Sequence, residues 1–198
     1  MVSYRKNKEM TVMYEKLVHR FDPEYNEVKA GGAGDFVVSP QAYFRGASQL
    51  PGAKYNVGFQ IFTKPFCIDK YPHRHKVDEY LIFLGGTFPN LFDFDAHIEF
   101  TIGEIGKDEE HYVIEQPTII RIPAGVSHCP LDFVEINKPV FFQAALMQGM
   151  FGGIYDLPSG TKEMWYNGPV MCKLHPGKKC NSCRECMEAD WQDDAWKK

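Results

Sequence analysis

His73-Arg74-His75-Lys76-Val77-Asp78-Glu79, running directly into Tyr80-Leu81-Ile82-Phe83-Leu84, is the stretch on which the fold of this chain turns. His73 and His75 are two residues apart, so on a strand both imidazoles leave the same face. Glu79 shares that parity, but a straight strand would carry it about 13 Å beyond His75. Ligands of one ion sit only about 2.0–2.2 Å from it. The chain must therefore turn at Lys76-Val77-Asp78. Either Asp78 or Glu79 then reaches back toward the histidines. Glu79 is favoured because it opens the apolar run 80–84, which fixes its backbone on a buried strand.

A second stretch, Pro123-Ala124-Gly125-Val126-Ser127-His128, follows the strand-like Ile119-Ile120-Arg121-Ile122. Proline fixes φ and glycine frees it, so this is a turn at the mouth of a sheet from which His128 can point inward. Taken singly, each histidine reads as a hydrogen-bonded or surface residue. Together, His73, His75, Glu79 and His128 read as the ligands of one ion. Imidazole nitrogen with carboxylate oxygen suits Mn, Fe, Co, Ni, Cu or Zn.

These residues resemble the paired motifs of the cupin superfamily, Gly-x5-His-x-His-x3-Glu-x6-Gly and Pro-x-Gly-x2-His. His73, His75, Glu79 and Gly86 match the first, and Pro123, Gly125 and His128 match the second. Cys67 stands where the leading glycine is usual, Pro117 at the second motif's upstream glycine, and Asp132 at its trailing asparagine. The resemblance covers roughly residues 35–157. It implies an all-β fold, a cupin-type antiparallel β-barrel or jelly roll with the ion inside, and no single reaction. Cupins include dioxygenases, isomerases, epimerases, decarboxylases, storage proteins and sensor domains.

The rest of the chain fits that architecture. Tyr55, Val57, Phe59 and Ile61 alternate with Asn56, Gly58, Gln60 and Phe62, which suits a half-buried strand. Residues 97–102, 111–114, 119–122 and 140–147 read as further short strands, and 87–96 as a loop near the barrel mouth. Many short strands between turns point to a barrel or sandwich. Met10, Met13, Leu17 and Phe21 have helical spacing, so residues 8–21 are expected as an amphipathic helix ending at Asp22-Pro23. The expected organisation is 1–34 helix and linker, 35–157 barrel, and 158–198 a cysteine-rich extension.

Cys172, Cys180, Cys183 and Cys186 form a C-x7-C-x2-C-x2-C array. Four thiolates suit a structural zinc site or an iron–sulfur cluster; free thiols or disulfides in a disordered tail are the plainer reading. Cys67 and Cys129 are expected to be buried, inert thiols. The net charge of −4 and the lack of a basic stripe argue against a nucleic-acid role. No stretch approaches the roughly 20 apolar residues that cross a bilayer, and residues 1–6 begin basic without an apolar core behind them. A cytoplasmic protein, paired as a homodimer to cover its sheet edges, is the expectation.

An ion with four protein ligands keeps up to two positions for water or a small oxygenated molecule if it is octahedral. Three side chains outside the motifs are candidates to act beside it. Arg45 could hold a substrate carboxylate, Tyr71 shares the parity of His73, and Gln143 interrupts an otherwise apolar strand. Arg74 and Lys76 have the opposite parity and are placed outside. The sequence thus points to a metal-dependent enzyme (Fe, Mn, Ni or Zn) of oxygenase or isomerase type. A non-catalytic small-molecule binding or sensing module is the alternative, and an assembly protein built on the C-terminal cysteines is a third.

Overall fold

The computed structural model describes residues 17–25, 36–50, 52–69, 71–149 and 151–166. Twelve strands follow in order: β1 Ala42–Phe44, β2 Asn56–Phe62, β3 Phe66–Asp69, β4 His73–Arg74, β5 Glu79–Gly85, β6 Ala96–Ile102, β7 Glu110–Ile114, β8 Thr118–Ile122, β9 His128–Ile136, β10 Val140–Leu146, β11 Phe151–Leu157 and β12 Gly160–Tyr166. One sheet has the order β1-β2-β10-β5-β8. The other has the order β12-β11-β4-β9-β6-β7, with β3 also paired to β9. Every pairing is antiparallel. The all-β antiparallel architecture expected from the sequence is the one observed.

Cross-strand register decides what faces the interior. Asn56, Leu146 and Glu79 lie in one row across β2, β10 and β5, and Gly58, Ala144 and Leu81 in the next inward row. Further along come Gln60, Phe142 and Phe83. In β2 it is therefore the set Asn56, Gly58, Gln60 and Phe62 that points between the sheets. The apolar Phe59 and Ile61 face outward, beside Phe21 and Phe141.

Beyond these rows the interior is filled with phenylalanine. Phe62, Phe83, Phe133 and Phe142 are all essentially inaccessible. Phe62 meets Phe133 edge-on at 5.0 Å, Phe133 meets Phe142 edge-on at 5.7 Å, and Phe66 stacks on Phe133 at 4.9 Å. Edge-to-face and offset stacks are the arrangements that aromatic quadrupoles favour. This layer closes one end of the space between the sheets.

Several expectations need correction. The loop 87–95 lies at this closed end, with Gly86 N–H donating to Pro139 O (2.7 Å) and Phe88 packing on Phe141. It is remote from the histidines. Strand β9 is not among the expected strands; its Pro130 cannot donate to a ladder, and a register shift opposite Phe100 and Ile102 of β6 absorbs it. The second sheet also continues past residue 157, through the β11–β12 hairpin. Cys67 is exposed, whereas Cys129 is buried as expected.

The helix expected over 8–21 falls, up to residue 16, outside the described residues, and residues 18–21 are not helical. The linker glycines 31–34 and Cys172, Cys180, Cys183 and Cys186 also lie outside them. Among the described residues no helix is long and apolar enough to cross a membrane.

Candidate metal centre

Four short pieces of backbone deliver the motif side chains to one point. His73 opens β4 and His128 opens β9, and the two are direct cross-strand partners. Glu79 opens β5 in the opposite sheet. His75 lies in the bend between β4 and β5, held by Gly125 N–H, which donates to His75 O at 2.8 Å. Gly125 has φ of 84°, a left-handed conformation that glycine adopts without strain. The expected turn at 76–78 is present, and Glu79 rather than Asp78 faces inward. Asp78 instead clamps the two motif turns together. Its Oδ2 accepts from Arg121 Nε (2.8 Å) and its Oδ1 from Ala124 N–H (3.0 Å).

His73, His75, Glu79 and His128 are each at most 3% exposed. One ligand atom from each lies within 4.8 Å of all the others. Glu79 Oε2 is 2.9 Å from His128 Nε2 and 3.2 Å from His75 Nε2. Yet none of these three atoms has a hydrogen-bond partner.

The far side of each ring explains this. His75 Nδ1 faces Gly152 O at 2.7 Å, His128 Nδ1 faces Val126 O at 3.1 Å, and His73 Nδ1 faces Tyr71 O at 3.4 Å. A carbonyl only accepts, so each Nδ1 carries the proton and each Nε2 turns a lone pair inward. Buried lone pairs converging on a carboxylate oxygen repel unless a cation sits among them. The donor set and the unmet atoms fit a metal ion, and these four residues can hold one.

In the metal-free protein the three shifted groups of the centre titrate differently. Burial, reinforced by the His128 and His75 imidazoles, pushes His73 down to about 3, which keeps it neutral and available as a ligand. Burial alone would push Glu79 up, but the His128 and His75 rings beside it outweigh burial and hold it well below the usual carboxylate range. Burial would lower His75, and the Glu79 carboxylate outweighs it and raises the ring.

Strand β11 supplies a wall that the sequence reading did not anticipate. Tyr155 stacks on His73 at 4.5 Å, almost parallel. A side chain on Gly153 would come within 2.9 Å of His75 Nδ1, so only glycine lets β11 approach that ring. A Gly152-Gly153 pair inside a strand pattern was the available signal.

The cluster forms one wall of a cavity of about 510 Å³. Asp69 also lines it, at the end of β3. A carboxylate oxygen of Asp69, a His73 nitrogen and Cys129 Sγ lie within 4.8 Å of one another. Burial, with the Glu79 charge, pushes Asp69 up to about 6. Burial also drives the Cys129 thiol well up, so it stays protonated and inert. Neither the spacing nor the motifs pointed to Asp69.

The three outlying candidates separate. Arg45 lines the cavity, its guanidinium paired with Glu24 (Nε–Oε1 3.2 Å) and lying 4.8 Å above the Tyr43 ring. Tyr71 meets His73 through its carbonyl, and its side chain is 37% exposed. Gln143 is in register with Phe59 and Ile82, on the outer face, and does not reach the cavity. An interrupted apolar strand signalled the wrong face. Arg74 and Lys76 point outward as expected, toward Asp156 and Glu163.

Two packed antiparallel sheets thus carry H-x-H-x3-E on one turn and P-x-G-x2-H on another, with all four ligands meeting inside. The chain has a cupin-type fold. No family model matches the sequence, and no curated protein matches it. Solved structures similar to this chain include the oxalate decarboxylase of Bacillus subtilis at pH 4.6, at 13% identity over 62% of this chain and 27% of that chain (TM-score 0.41). An oxalate oxidase in complex with the substrate analogue glycolate is similar at 13% identity over 61% and 56% (TM-score 0.41). Vicilin from Corylus avellana (hazelnut) is similar at 15% identity over 57% and 26% (TM-score 0.37). The chain spans roughly a quarter to a half of the length of these proteins, and likenesses this distant carry no argument about reaction or substrate.

Proposed function

We propose that the protein is a metal-dependent enzyme of oxygenase or isomerase type, acting on a small oxygenated molecule at a centre ligated by His73, His75, Glu79 and His128. The observation that carries this is the set of buried, unmet Nε2 and Oε2 atoms converging while every Nδ1 is tied to a carbonyl. A divalent transition ion bound there supplies Lewis acidity and, if it is iron or manganese, redox chemistry toward dioxygen.

The remaining work falls to the chain's own residues. The carbonyls of Tyr71, Gly152 and Val126 fix ring orientation, so the site needs no rearrangement on loading. The phenylalanine layer keeps bulk water from one side. Asp69 lines the cavity beside His73, where its carboxyl is placed to exchange a proton with a molecule bound there. That acid supports an enzyme over a pure binding module, since a binder has no need of a proton carrier beside its ligand.

Elemental analysis of the purified chain, coupled to dioxygen uptake with a panel of diols and keto acids, tests the reading. One equivalent of transition metal, lost in His73→Ala/His75→Ala, is expected. Metal content unchanged by that double substitution would refute the centre. Loaded protein that turns over none of the panel moves the reading to the binding module.

A further inference from the structure

Asp69 stands apart among the acids that line the cavity. Glu24 is paired with Arg45, and Glu79 faces the imidazoles of the metal centre. Among the described residues, the Asp69 carboxyl has neither a hydrogen bond nor an ion pair. It can also be reached. Asp69 is half-buried, it lines the cavity, and it is not one of the polar groups sealed inside.

A local irregularity aims this side chain. In the pairing of β3 with β9, Cys67 opposes Asp132 and Asp69 opposes Leu131, so β3 carries one extra residue. Strict alternation would send Asp69 to the exposed side that Cys67 takes. The bulge instead sets it opposite buried Leu131, and Ile68 and Asp69 both line the cavity. There one carboxyl oxygen lies within 4.8 Å of a His73 nitrogen. A carboxyl turned inward with no protein donor to meet it is one that a bound molecule can satisfy.

Charge decides which donor fits. A divalent ion and the Glu79 carboxylate together leave a single positive charge, which an anionic oxygen group of a bound molecule cancels. Arg45 and Glu24 cancel each other. Asp69 then remains as an unbalanced negative charge in a partly desolvated wall. A hydroxyl would meet its lone pairs and leave that charge. An ammonium answers both, and a pair kept partly from water is screened less than a surface one.

Resting on the metal-centre reading above, we propose that the cavity takes a short zwitterion, with an anionic oxygen group for the ion and an ammonium received by Asp69. Because Asp69 lies beside a ligating histidine, about three carbons or fewer part the two groups once the ligand–oxygen and hydrogen-bond distances are allowed for. Asp69 is thus the residue that selects an amine.

The test uses the full chain loaded with zinc, with metal content measured on each sample, and calorimetric titration with 3-aminopropanohydroxamate and butanohydroxamate. The two share a chelating end and nearly the same shape, and differ in an ammonium against a methyl. The wild-type chain is expected to bind the amine about tenfold more tightly, the order expected of one hydrogen bond between charged groups. Asp69→Asn should abolish that preference while keeping zinc content and butanohydroxamate affinity, and Asp69→Ser carries the same expectation should Asp69→Asn fail to fold. Equal affinities in the wild-type chain, binding of neither compound, or a preference that survives both substitutions overturns this proposal alone. A wild-type chain that takes up no zinc and no other transition metal overturns the metal centre, and this proposal with it.

Discussion

His73 and His128, far apart in sequence, are direct cross-strand partners on β4 and β9, with ring centroids 4.3 Å apart. One ladder position thus joins the two motifs. Half of the ligand set is fixed by sheet register, and the other half, His75 and Glu79, by the single bend that follows. Misplacing either element would separate the ligands by at least a strand spacing.

Gly153→Ala should loosen this arrangement without removing a ligand. The added methyl meets His75 Nδ1 at 2.9 Å and Arg74 O at 3.0 Å, so the ring or β11 must move. Disturbing the partner of a ligating histidine typically weakens metal affinity about 10–100-fold. Competition against a chromogenic chelator measures it, and an unchanged affinity would show that the Gly152 carbonyl does not set the ring.

In the metal-free protein, buried His73 and half-buried Asp69 give opposite pH dependences. His73 is depressed to about 3, so the folded chain binds fewer protons there than the unfolded one. Its stability contribution is full above about pH 6.5 and is lost as pH falls toward 3. Asp69 is raised to about 6 from 3.8. It favours folding below pH 3.8, and that advantage is lost as pH rises through 6. Asp69→Asn should therefore stabilise the metal-free chain at pH 7 by about 2–3 kcal/mol and steepen its loss of stability between pH 6.5 and 4. Urea titrations across that range check the sign, and a flat profile in Asp69→Asn would exclude a neutral buried His73.

Phe133 is fully buried and touches Phe62, Phe66, Phe83 and Phe142. Truncation to alanine removes the centre of that layer and should cost about 3–5 kcal/mol. Denaturant midpoints read the loss directly. A cost below about 1 kcal/mol would mean the layer collapses onto the gap.

Gln143→Ala should leave metal stoichiometry and metal affinity unchanged, because the side chain lies with Phe59 and Ile82 outside the barrel. A changed affinity would contradict the register of β10.

The ligands were legible because their chemistry is carried by parity and turn residues, which are local. Glu79 was separable from Asp78 by the apolar run behind it. The cavity was less legible. In β2 the alternation was visible, but the interior takes the face with Asn56 and Gln60, since a ligand site needs polar groups inside and the outer face is itself covered by Phe21 and Phe141. Gln143 misled for the same reason in reverse. Strand β9 carries Pro130, whose accommodation depends on a bulge that no local pattern announces, where Cys129 and Pro130 together oppose Thr101 of β6. Asp69 reaches the site only through the pairing of β3 with β9, a contact distant in sequence.

The aromatic layer across the barrel has a kinetic corollary. With the axis filled at one end by Phe62, Phe83, Phe133 and Phe142, two reactants bound for the ion share the approach that remains, and a second cannot arrive from behind the first. Loading is then a queue: whichever molecule is seated first screens the ion from latecomers, and the order of addition becomes part of the rate law.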